Sequence, residues 1–310
     1  MTWKTVRASW RLLAIGILYL VVMSFGHLPD HLILFPTRAP IDAGGAVRTT
    51  VPFESGELEI WTAQSRRAQQ QGVADVFILR FYGNADRADR WAAAEAEMWN
   101  DRAVEIWGMN YPGFGGSTGP ARLARIGPAA LAAFDELQRY AMSQSVVESA
   151  VLSGSSSNSA LGTAHATARP IVVYGASIGA TAALHVAAVR PAAGLILHNP
   201  PPLREMILRR FGWWNLWLLA GPIALQIPRD LDSIQNAKTI RAPAIFLLAE
   251  RDEVVPPRFH RLVVNAYAGE KRVIALHGAY HNDPIEGAAL ADLNDALGWM
   301  LAKATSAGSP

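Results

Sequence analysis

The sequence predicts an α/β fold, with a mostly parallel central sheet, helices on both of its faces and a short helical cap. Three observations predict it. From residue 76 onward, short apolar runs alternate with stretches of helical composition. Those runs are continuous rather than alternating, the pattern of parallel strands covered on both sides. Several of them end at glycine, as in "VFILRFYG" and "IVVYGA", which marks a sharp exit from a strand.

Composition bounds the function. The chain has 310 residues, 51% of them hydrophobic and 17% charged, enough for one large or two small globular domains. A formal charge of +2 gives no reason to expect a nucleic-acid surface. Cysteine is absent, which excludes disulfides, a thiolate nucleophile and Cys-ligated metals. No metal-ligand spacing, Walker loop or dinucleotide fingerprint occurs, so neither metal nor cofactor is expected.

The elements follow in order. "MTWKTVRASWR" carries Lys4, Arg7 and Arg11, and Leu12 to Leu28 follows without a charge. A bilayer core needs roughly 20 apolar residues, with about 17 as the lower end. An uncleaved anchor over residues 1–30 is the leading reading, and a cleaved signal peptide the other. Ser24-Phe25-Gly26 is a poor cleavage site. In both readings the folded domain, 31–305, lies beyond the membrane, facing the periplasm if the cell is bacterial, with the positive flank cytoplasmic. Strands are expected at 47–53, 58–63, 76–83, 171–176, 194–200, 244–250 and 272–278, and 104–116 reads as a strand followed by a glycine-rich turn. Helices are expected at 87–99, 128–144, 178–189, 257–268 and roughly 284–302. Residues 149–169, rich in Ser, Ala and Gly, read as a flexible insertion. Residues 201–242 read as the cap.

Chemistry concentrates at Gly175-Ala176-Ser177-Ile178-Gly179, which fits G-x-S-x-G between a strand and a helix. A serine on that strained turn needs neighbours without bulk, because helix and strand approach closely there. The five residues alone fit an ordinary structural turn equally well. A serine hydroxyl also needs an imidazole to take its proton and a carboxylate to orient that imidazole. Asp252 stands just past the 244–250 strand, with Glu250 and Glu253 as competing acids. His281 stands in the loop before the final helix, with His277 as its rival. The remaining histidines, among them His198 and His260, are scattered and read as ordinary surface or core residues.

With these residues in view, the chain resembles the α/β-hydrolase superfamily from about residue 32 to 300. It is similar in particular to the N-terminally anchored branch that includes depalmitoylase-like and serine-aminopeptidase-like proteins. The stretches that carry the resemblance are "LILFPT", "FYGNADR", "NYPGFGGSTG", "YGASIGA", "LLAERDEVVPP" and "GAYHND". It implies a Ser177–His281–Asp252 triad, in that family's order of nucleophile, acid and histidine. It also implies an oxyanion hole from the backbone N–H groups of Ile178 and Asn84. The sequence departs from the family at Tyr82, where histidine is usual, which alters loop packing and pocket polarity.

Phe211 to Ile227 is uncharged and holds Trp213, Trp214 and Trp217. A second span is excluded as long as the triad stands, because it would place Ser177 and His281 on opposite sides of a membrane. Gly221-Pro222 also cuts the segment too short. Two readings stay open for the tryptophans: they pack the cap against the core, or they line an acyl pocket or touch lipid. The expected function is hydrolysis of an ester or thioester of a small or lipid-like acyl compound, without nucleic acid or cofactor. A peptidase acting at an N-terminal residue, with Glu205 holding the ammonium, is the alternative; a non-catalytic binding protein is a third. Oligomeric state is not legible.

Overall fold

Eight strands form one sheet in a computed structural model that describes residues 3–25, 27–153, 169–215 and 217–307. The strands are β1 (Val47–Phe53), β2 (Gly56–Gln64), β3 (Val76–Phe81), β4 (Val104–Met109), β5 (Ile171–Ala176), β6 (Gly194–His198), β7 (Ala244–Ala249) and β8 (Lys271–Leu276). Their order across the sheet is β1-β2-β4-β3-β5-β6-β7-β8. β1 and β2 form a hairpin, β2 runs antiparallel to β4, and every other pairing is parallel.

The central strands are buried along their length, up to the part-buried Ala176 at the end of β5, because both faces are covered. Side chains alternate between the two faces. On one side Phe77, Leu79, Val173, Leu195 and Phe246 meet α5 (Leu123–Ser153), α6 (Ile178–Val189) and α10 (Pro257–Ala266). On the other, Ile78, Ile106, Val172, Ile196 and Leu247 meet α4 (Ala88–Glu97) and α11 (Gly287–Ala307). Two short helices lie before α4: α2 (Leu28–Ile33) and α3 (Arg66–Gln71). Small buried residues at Ala180, Ala182 and Ala183 let α6 approach the sheet closely.

The expected helix over 128–144 is longer, because it begins at Leu123 and runs to Ser153. Its start is fixed from a distance: Asp30 Oδ1 accepts the Leu123 N–H at 2.8 Å. The expected insertion therefore opens inside this helix, and 154–168 lie outside the described residues. Within 201–242 the chain forms α7 (Leu203–Phe211), α8 (Ala220–Leu225) and α9 (Ser233–Thr239), with short 3₁₀ turns at Trp213–Asn215 and Arg229–Leu231. α9 packs on α6 and α10 and so belongs to the body of the domain.

At the N-terminus α1 spans Trp3–Phe25. Among the described residues no helix is long and apolar enough to cross a membrane. The span expected over Leu12 to Leu28 therefore has no support here, and its side chains from 22 to 26 lie outside the described residues. From Trp10 to Val21 every side chain except the half-buried Tyr19 is exposed.

Candidate active site

In a parallel sheet the loops leaving the strands' carboxyl ends share one edge, so residues remote in sequence meet there. β5 delivers Ser177 to that edge, β7 delivers Asp252, and β8 delivers His281. Ser177 has φ 52° and ψ −124°, a left-handed conformation that a residue with a Cβ adopts only under strain. Its N–H donates to the His198 carbonyl at 2.8 Å. The glycines on either side are sterically required. A Cβ at Gly179 would strike the carbonyl oxygens of Phe81 and Tyr82, and one at Gly175 would strike the backbone of Gly179 and Ala180.

His281 Nε2 lies 3.0 Å from Ser177 Oγ, and His281 Nδ1 lies 2.6 Å from Asp252 Oδ2. The other carboxylate oxygen, Oδ1, accepts the N–H groups of Val254 at 2.9 Å and Val255 at 2.7 Å. Burial alone would raise the Asp252 pKa. The adjacent His260 and His281 and the Val255 N–H outweigh it, and hold the carboxylate below its usual range. The rivals are elsewhere: Glu250 and His277 pair with each other at 2.8 Å in an exposed position.

Two neighbours of this arrangement were not legible as such. The fully buried His260, on α10, places Nε2 3.1 Å from the same Asp252 Oδ2. Asn199, buried at φ 49°, accepts the Ala249 N–H at 2.9 Å through Oδ1 and donates through Nδ2 to the His281 carbonyl at 3.1 Å. It ties the ends of β6 and β7 to the loop that holds His281. Asn tolerates the left-handed region better than most residues, and this is its only local signature.

Gly83 stands directly against the nucleophile, since a Cβ there would lie 3.6 Å from Ser177 Cβ. Asn84 follows it, with its side chain turned to the N-terminal connector, where Oδ1 accepts the Phe35 N–H at 2.9 Å. Ile178 opens α6 and is buried. Tyr82 is buried; its hydroxyl donates to Glu95 Oε2 at 3.0 Å, and burial followed by Glu95 raises its pKa. Glu95 is paired in turn with Arg80, whose guanidinium stacks 3.9 Å from the Tyr174 ring centroid.

A cavity of about 750 Å³ opens beside Ser177 and His281. Arg80, Tyr82, Glu95 and Tyr174 line its polar part, with Trp91, Met98, Ile285 and Leu290 on the apolar side. It therefore extends between α4 and α11 rather than beneath the cap. Trp213, Trp214 and Trp217 do not line it; they are 68%, 59% and 52% exposed. Both core packing and pocket lining by these three rings are thus corrected. Glu205 does not reach the cavity either. His198 does, and burial, then Arg80 and His281, push its imidazole down to about 3. Among the described residues no cluster of acids and imidazoles could hold a metal ion.

Comparison with known proteins agrees with this architecture. No family model matches the sequence. Two uncharacterized proteins of Mycobacterium tuberculosis are 30% identical over 115 residues, which is 37% of this chain and 38% of each of them. The match thus spans well under half of those relatives. An esterase from Pyrococcus furiosus superimposes with a TM-score of 0.56 at 15% identity, covering 88% of this chain and 98% of that one. Est1E from Butyrivibrio proteoclasticus gives 0.54 at 13% identity, over 84% of this chain and 99% of its own. An acylaminoacyl peptidase from Pyrococcus horikoshii gives 0.51 at 14% identity, over 82% of this chain and 40% of that one. The chain has the α/β-hydrolase fold.

Proposed function

We propose that the chain is a serine hydrolase working by acyl transfer on an ester or thioester of an acyl, lipid-like compound. The observation that carries this reading is the unbroken contact from Ser177 Oγ through His281 to Asp252, at 3.0 and 2.6 Å. Ser177 Oγ attacks the carbonyl carbon as its proton passes to His281 Nε2. Asp252 holds Nδ1–H and stabilises the imidazolium. The N–H groups of Ile178 and Asn84 face the developing oxyanion. Collapse gives the leaving alcohol or thiol the proton from Nε2 and leaves an acyl-Ser177 ester. Water, deprotonated by the same imidazole, then releases the acid.

Labelling with a fluorophosphonate probe tests it. Wild type should react covalently and Ser177→Ala should not; equal labelling of both would refute the assignment. A peptidase reading has one observation of its own. Asp86, Glu97, Asp283 and Glu286 line the cavity, whereas its one lining guanidinium, Arg80, is committed to Glu95. Such walls suit a substrate ammonium. Rates on p-nitrophenyl esters beside aminoacyl amides separate the two. In this reading α1 attaches the enzyme to a lipid bilayer, supported by its exposed apolar side chains.

A further inference from the structure

A protein partner covers a stripe of a helix, whereas lipid surrounds it. In α1 the exposed apolar residues Leu12, Leu13, Ile15, Ile17, Leu18 and Leu20 point in all directions about the axis, at 100° per residue. A second copy of the chain could cover only part of that circumference. α1 and α2 both pack against α8, and so stand against the cap. There the next set of exposed apolar side chains begins: Trp213, Trp214, Trp217, Leu218 and, 84% exposed, Leu225. Leu225 lies on α8, the helix that α1 touches.

The outward tryptophans are held, not loose. Trp217 occupies a left-handed conformation at φ 60°. Its N–H donates to the Gly212 carbonyl at 2.8 Å, and its Nε1 to the Leu208 carbonyl at 3.2 Å. A Cβ at Gly212 would run into its indole ring, so that glycine makes room for the ring. Arg209 and Arg210 close α7 immediately before these rings. Tryptophans beside arginines suit the headgroup layer of an anionic bilayer. Arg210 Nη1 also donates to the Val254 carbonyl at 2.8 Å, two residues from Asp252.

We propose that the cap is a second membrane contact: Trp213, Trp214, Trp217, Leu218 and Leu225 seat in the headgroup layer of the bilayer that holds α1. This rests on the proposed attachment of α1 to a bilayer, and on the hydrolase reading in its consequence, which is that acyl substrates reach Ser177 from the lipid phase.

The chain has no cysteine, so single labels are clean. Full-length Trp214→Cys, Leu218→Cys and Val189→Cys carry the fluorophore NBD on vesicles of phosphatidylcholine and phosphatidylglycerol. Val189 ends α6 and lies at the far end of that helix from Ser177. Labels at 214 and 218 should shift to the blue and be quenched by spin-labelled lipid, while the label at 189 stays aqueous. Aqueous emission from 214 and 218 on protein-loaded vesicles would overturn the proposal. So would a blue shift that depends on protein concentration and ignores lipid quenchers, because that marks a second copy of the chain. Leu218→Ser combined with Leu225→Ser should lower turnover of a long-chain ester in vesicles by about tenfold, an effect of lost apolar contact. Hydrolysis of a short soluble ester should stay within about twofold, because neither leucine lines the cavity. Equal losses on both would overturn the delivery role. Fluorophosphonate labelling of Ser177, read on the same samples, reports separately on the hydrolase assignment.

Discussion

Replacing Asn199 with alanine should damage folding and turnover together. Two side-chain bonds disappear, one accepting the Ala249 N–H and one donating to the His281 carbonyl. The Ala249 N–H is buried, and a buried donor left without a partner costs about 1–3 kcal/mol. The backbone at φ 49° adds to this, because alanine in the left-handed region costs about 1–2 kcal/mol. The sum, about 2–5 kcal/mol, corresponds to a fall in Tm of roughly 3–8 °C for a chain of 310 residues. The freed His281 loop shifts the imidazole against Ser177 Oγ, and a displacement near 1 Å can cost about 100-fold in rate. Two companion variants divide the effect. Asn199→Gly relieves the backbone term and still loses both bonds. Asn199→Asp keeps the acceptor for Ala249 but cannot donate to the His281 carbonyl, so its stability should recover further than its activity. Thermal denaturation and kcat/KM on p-nitrophenyl butyrate read the two quantities. An alanine variant that melts with wild type and turns over at the same rate would refute the bridging role.

Three other substitutions follow from the same geometry. His260→Phe removes the imidazole 3.1 Å from Asp252 Oδ2; loss of a contact worth about 1 kcal/mol should lower kcat by about fivefold. His260→Gln should restore part of it, and a glutamine no better than phenylalanine would argue for mere packing. Gly179→Ala drives a Cβ into the carbonyls of Phe81 and Tyr82, so we expect a loss of about 1–3 kcal/mol in urea unfolding with little residual activity; an unchanged midpoint would contradict the close approach. His198 ties stability to pH. Its folded pKa of about 3 lies below the ordinary 6.5, so below pH 6.5 the unfolded chain takes up a proton that the folded chain refuses. Stability contributed by the neutral ring is therefore present above pH 6.5 and declines as pH falls toward 3. Between pH 7 and 4.5 the loss is at most roughly 3 kcal/mol. Asp230 and Glu205, raised chiefly by burial, act in the opposite sense, so the test compares wild type with His198→Leu at each pH. Parallel curves would exclude His198 as the source.

The central strands β3 to β7 were legible because they are buried on both faces, and burial on both faces writes itself as an uninterrupted apolar run. The candidate residues were legible because each stands one loop beyond such a run. Their meeting required only that the runs lie parallel. Asn199 and His260 were hidden for the converse reason: nothing in "HNPP" or "PPRFHRL" names the partner, which arrives from another strand. The start of α5 was hidden likewise, since its cap, Asp30, is 93 positions away.

Of the readings open for the cap, core packing and pocket lining failed for a different physical cause. A run of apolar residues states that water is disfavoured and leaves open what replaces it. "FGWWNLWLL" reads the same whether its rings meet a protein core or a bilayer. Sequence position above the sheet's edge suggested a pocket lining, because caps commonly close over that edge. The space beside Ser177 instead lies where α4 and α11 separate, a consequence of helix placement on the opposite side of the sheet. The cavity is walled by other residues, and the tryptophans do not line it. Yet the strained turn at Trp217 keeps its ring at the surface. A fold that needed these rings only for packing would relax that turn inward. Keeping it outward is favourable once an apolar phase replaces water there, and the adjoining α1 displays the same demand along its described length.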